Sequence, residues 1–191
     1  MTRKKMIASL SLALSAIGLV SLAAAQSGTR TYPPPQSNSQ RIETRSNQGS
    51  APRAEEPFED RLWKYLQQVQ YRNWAPLPGV TGETYEGNNP HGSKVKLFAN
   101  RTAAAGNGKL PTGSILIKEN FDPTGSQLMA ITVMYRYEGF YPEGGDWHWT
   151  KFEPNGAVST MQGMRVTGKV GMCIECHQSA AGGDFVFAND R

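Results

Sequence analysis

The rhythm of apolar residues first becomes regular at Pro57. From there "PFEDRLWKYLQQVQ" spaces Phe58, Leu62, Tyr65, Leu66 and Val69 three and four apart, which gathers them into one stripe of a helix. Pro57 suits a first helical turn, and Glu55, Glu56, Glu59 and Asp60 lie at the positive end of the helix dipole. Pro76 and Pro78 forbid its continuation. Beyond them the period falls to two. In "SKVKLFAN" Val95, Leu97 and Ala99 share a face, and "GSILIKEN" is a short β-branched run bounded by "PTG". "QLMAITVMYRYEGFY" is the longest such run, with Ile131, Val133, Tyr135 and Tyr137 on one side and Met134 and Arg136 on the other. "DWHWTKFEPNGAVSTMQGMRV" predicts two strands joined at "EPNG". "RTAAAGNG" predicts a short helical turn ended by Gly106. The pattern is α+β: an N-terminal helix packed on a mainly antiparallel β-sheet of four or five strands, then a C-terminal segment of different character.

Upstream of the helix the chain has no core-forming pattern. Arg3, Lys4 and Lys5 precede the apolar run "MIASLSLALSAIGLVSL", and Ala23 and Ala25 supply the small residues before a cut at Gln26. This is the pattern of a secretory signal peptide over residues 1–25, directing export to the periplasm; the alternative is an uncleaved N-terminal membrane anchor. Residues 26–56 are rich in Ser, Gln, Pro and Arg and cannot bury enough apolar surface to offset the entropy of ordering, so they read as a disordered linker. The folded domain is then 57–191, with no further run long enough to span a bilayer. The division also changes the meaning of the charge. The formal net charge is +4, and three of those charges belong to the leader, so the remainder is nearly neutral and makes no electrostatic case for nucleic acid.

The chain's two cysteines stand close together near its end, in "MCIECHQSA": Cys173 and Cys176, with His177 immediately after. A disulfide or a redox pair is open to an exported protein, but the redox pair usually opens a helix in a βαβ unit that this chain lacks. Zinc needs four ligands, and only His91 and His148 remain as further nitrogen donors. Covalent haem c accounts for each residue: Cys173 and Cys176 for the thioethers, His177 as proximal ligand to iron. No Met, His or Lys follows His177. A sixth ligand must therefore come from upstream, from His91, His148, Lys118 or one of Met129, Met134, Met161, Met164 and Met172, or else the distal face is open. His91 in "NNPHG" reads as a surface turn residue, His148 as facing pocket or solvent. Arg136 reads as pairing with a haem propionate or pointing to water.

A β-rich domain ending in this motif resembles the cytochrome P-460 family, which includes the β-type cytochromes c′. The resemblance is carried by "HGSKVKLFAN", "PTGSILIKE", "GDWHW" and "CIECHQSAAGGDFVF", in that order between about Trp63 and Phe187. It implies a mono-haem protein with an open distal face that binds, or carries out redox chemistry on, hydroxylamine or nitric oxide. A soluble cytochrome would be the redox partner, and a homodimer is compatible with it. It also places Lys118 where the family has a lysine that can cross-link to the haem ring, the one candidate catalytic residue. Whether the protein is an enzyme stays open, because an electron-transfer cytochrome or a non-catalytic gas-binding protein fits the same residues.

Overall fold

The structure, a computed structural model, describes residues 55–189; the leader and most of the linker expected from the sequence lie outside the described residues. Helix α1, Phe58–Gln68, turns its stripe inward, with Leu62 and Leu66 fully buried. Each such side chain contributes about 1.5–3 kcal/mol by leaving water. The helix stops well short of the prolines. Gln70 takes a left-handed backbone (φ 51°), and a 3₁₀ turn over Tyr71–Asn73 follows. The cause is tertiary: Tyr71 Oη (2.7 Å) and Arg72 Nε (2.6 Å) both donate to the buried carboxylate of Glu119.

The sheet strands are β1 (Tyr85–Glu86), β2 (Lys94–Ala99), β3 (Ile115–Phe121), β4 (Leu128–Arg136) and β5 (Trp147–Phe152). Between β2 and β3 lies helix α2, Arg101–Ala104, capped by the Asn100 side chain on the Ala103 N–H (2.9 Å). A small hairpin of β6 (Thr160–Met161) and β7 (Met164–Arg165) leads into β8 (Thr167–Gly168). The six-stranded sheet runs β1-β2-β3-β4-β5-β8, with every neighbour antiparallel. The fold is therefore α+β with a dominant antiparallel sheet, as the periodicity predicts.

The "EPNG" turn forms, but its return strand does not. The Glu153 N–H donates to the Ala157 carbonyl (2.8 Å), and pairing with β5 is then reduced to one bridge between Phe152 and Val158. The chain leaves for the β6–β7 hairpin and rejoins β5 only as β8. Gly156 sits at this turn with φ 90°, and a Cβ there would lie 2.1 Å from Trp63 Nε1 of α1, so glycine is needed for both shape and clearance.

Strand alternation gives the sheet two buried faces. One packs under α1: Phe98, Ile115, Ile117, Ile131, Val133, Tyr135 and Phe152 with Leu62 and Leu66. The other carries Leu97, Leu116, Met134, Trp147 and Trp149 and faces the C-terminal segment. Lys118 and Glu119, being adjacent on β3, fall on opposite faces. That segment opens with helix α3, Gly171–His177. Among the described residues no helix is long and apolar enough to cross a membrane.

Candidate functional site

Helix α3 holds the whole cysteine–histidine motif. Residues three and four apart share a helix face, so Cys173, Cys176 and His177 project together. They project into a cavity of about 710 Å³ between α3, the sheet face of Leu97, Leu116 and Trp149, and the loop of residues 80–91. That volume lies within the range of about 300–1,000 Å³ seen for small-molecule and cofactor sites. Both thiols are free; Cys173 is half-buried and Cys176 exposed. Burial pushes the Cys173 thiol up to about 11, so it stays protonated at neutral pH.

His177 is buried among rings, with Trp149 at 4.7 Å and Phe187 at 5.2 Å between centroids. Its Nδ1 lies 2.7 Å from the Phe185 carbonyl, which can only accept, so Nδ1 carries the proton and Nε2 keeps its lone pair. Burial, and then the Lys118 charge, hold its pKa below the usual histidine value. Phe185 presents that carbonyl from a left-handed backbone (φ 61°), unusual for a bulky residue. What holds it there is Asp184. Asp184 forms a buried ion pair with Arg136, accepts the Leu110 N–H (2.6 Å), and through its own carbonyl accepts Trp147 Nε1 (2.9 Å). The Arg136 guanidinium also stacks 5.4 Å from the Trp147 ring centroid.

Lys118 lines the cavity from the middle of β3, flanked by Leu97 and Thr132 on the neighbouring strands. It is half-buried, and no hydrogen bond or ion pair reaches its amine among the described residues. Burial lowers its pKa from the usual lysine value. His91 also lines the cavity rather than capping an outer turn, and its pKa falls to about 4, first through burial and then through the Lys118 charge.

Other candidates lie elsewhere. His148 reaches neither cavity nor solvent; it is buried on the α1 face against Phe58 (4.6 Å) and Phe140 (5.1 Å). Arg136 likewise takes neither of its expected roles, being committed to Asp184. Of the candidate methionines, Met134, Met161 and the exposed Met172 line the cavity, while Met129 and Met164 are exposed away from it. Asp184, and Asn120, whose Oδ1 lies 3.0 Å from His91 Nδ1, are the residues whose roles sequence reasoning missed. A carboxylate just after the Cys-x-x-Cys-His motif and an asparagine inside a β-branched strand were the available signals, since strands are depleted in Asn.

Together these features define a class: a sheet domain closed by a C-terminal Cys-x-x-Cys-His helix over a cavity of prosthetic-group size. The chain belongs to the cytochrome P460 family, whose family model matches residues 69–188. Membership makes haem, with its iron, the cofactor. No curated protein matches the chain. The cavity suits that cofactor on its own terms. Its walls are largely apolar, and the His177 ring within it keeps a nitrogen free to ligate.

Proposed function

We propose that the protein is an exported mono-haem c-type cytochrome that binds, and carries out redox chemistry on, small nitrogen species such as hydroxylamine or nitric oxide. The observation that carries this reading is the convergence of Cys173, Cys176, His177 and Lys118 on one cavity. Cys173 and Cys176 would hold the haem through two thioethers, each S–H adding across one vinyl double bond, sulfur to one carbon and hydrogen to the other, with no oxidant consumed. His177 supplies the proximal nitrogen, and the Phe185 carbonyl fixes both its tautomer and its ring orientation. When bound, the haem would supply a redox-active iron for a small nitrogen species, with a soluble cytochrome as the proposed electron acceptor. Leu97, Leu116 and Met134 exclude water around it. Lys118 would offer a desolvated amine to the same space; its bonding to the ring would exchange one amine N–H and one ring C–H for a C–N bond, and so would need a two-electron oxidant such as a peroxide.

The test is expression of the full chain with cytochrome c maturation machinery. Periplasmic protein heavier by one haem after denaturation, losing that mass in the Cys173→Ala/Cys176→Ala variant, is expected. His177→Ala should keep covalent haem but change its spectrum. Titration with nitric oxide and assay with hydroxylamine then separate binding from turnover. Protein of unmodified mass would overturn the reading.

A further inference from the structure

His91 lies on the loop between β1 and β2, and the cavity brings its ring to 6.0 Å from the ring of His177, centroid to centroid, with planes 79° apart. The ring is oriented as well as near. Asn120, buried on β3, has its amide direction fixed from both ends. Its Nδ2 faces two carbonyls, those of Lys118 (2.8 Å) and Ala130 (3.3 Å), which can only accept, and also donates to Thr132 Oγ1 (3.3 Å). Its Oδ1 accepts the Gly92 N–H at 3.1 Å and lies 3.0 Å from His91 Nδ1. An oxygen at that place makes Nδ1 the protonated nitrogen and leaves the lone pair on Nε2. His177 is arranged in the same way, Nδ1 to a carbonyl and Nε2 free. Metal-bound histidines carry this signature, one ring N–H tied to a protein acceptor while the other nitrogen binds.

The loop is held at this register by close backbone contact. A Cβ on Gly92 would lie 2.4 Å from the Phe121 carbonyl oxygen, and one on Gly87 would lie 2.1 Å from the Gly92 carbonyl oxygen. The separation itself is informative. Metal–imidazole bonds are about 2 Å, and a ring nitrogen lies about 1 Å from its centroid, so two imidazoles on opposite sides of one metal stand about 6 Å apart. A histidine that hydrogen-bonded to an iron-bound ligand instead would stand at least about 2 Å farther off.

We propose that His91 Nε2 is the second axial ligand of the haem iron in the resting protein, opposite His177. This rests on the reading of His177 as proximal ligand and deepens it: a small nitrogen species reaches the iron by displacing His91. The distal face expected to be open is then occupied at rest.

The test is the optical and electron paramagnetic resonance spectrum of the ferric holoprotein, made with its covalent haem. Low-spin iron is expected in the wild type. His91→Ala should convert it to high-spin, and added imidazole should restore the low-spin form. His91→Met keeps a ligand at the position and should raise the reduction potential, as thioether replaces imidazole. A wild-type protein with covalent haem in the high-spin state overturns the ligation while leaving the proposed function intact. A low-spin spectrum unaltered in both variants overturns it as well, and assigns the sixth position to another group, such as a cavity methionine. Protein without covalent haem overturns both readings.

Discussion

Arg136→Met tests the physical link between the sheet and His177. Arg136 and Asp184 are 4% and 1% exposed, so the substitution leaves a carboxylate in the interior with only the Leu110 N–H to stabilise it. Removing one partner of a buried ion pair costs about 3–5 kcal/mol, far more than an exposed pair. The lost contact with the Trp147 ring is part of that sum. Against a total stability of about 5–15 kcal/mol the loss is large. For a domain of this size it corresponds to a fall in melting temperature of roughly 10–20 °C. Thermal and urea unfolding of holoprotein with equal haem content would measure it. The double variant Arg136→Met/Asp184→Leu removes the stranded charge, so it should be less destabilised than the two single changes summed, by about 2 kcal/mol or more. Amide exchange at Leu110 should quicken in the single variant, because its N–H donates to the Asp184 carboxylate that Arg136 holds in place. A loss below about 1 kcal/mol, or strict additivity in the double variant, would refute this account of the anchor.

Two further outcomes follow from buried titratable groups. Burial lowers the His148 pKa to about 4, with the Glu59 charge pulling weakly the other way, so its neutral form is favoured in the fold. Its contribution is therefore present in full above about pH 6.5 and is lost as pH falls through 4, up to about 3 kcal/mol. His148→Met should flatten the decline of urea-measured stability over that window, and an unchanged slope would assign the decline to other groups. Lys118→Met removes an amine whose charged form is disfavoured by burial, so stability should stay equal or rise; the variant should keep haem through both thioethers but lose any haem from the residue-118 peptide in mass mapping. Absence of haem from that peptide in the wild type would leave Lys118 as a cavity wall only.

Local pattern was enough for much of this protein. The i, i+4 stripe of α1 and the two-residue alternation of β2, β3 and β4 each report which side chains share a face, and the same alternation separates Lys118 from Glu119. The spacing of Cys173, Cys176 and His177 depends only on one helical turn, so a candidate haem-attachment group was legible before any fold was known. Where the chain's course depended on partners, the pattern misled. The helix was expected to run on toward Pro76, but Tyr71 and Arg72 turn aside to meet Glu119 on a distant strand. The return after "EPNG" looked like a strand and is a single bridge followed by a detour to β8.

The relations among residues far apart in the chain belong to the tertiary structure alone. Arg136 could be seen as an anomaly in an apolar strand, yet its partner, 48 residues away, is set by where the C-terminal segment crosses the sheet. His91 read as a turn residue, because a turn is all that "NNPHG" encodes locally. Only the docking of that loop on Asn120 turns its imidazole toward His177. Periodicity reports which way a side chain points from its own backbone. It carries no information about what the other strands and loops bring to the same place, and buried charge pairs and ligand sites are made there.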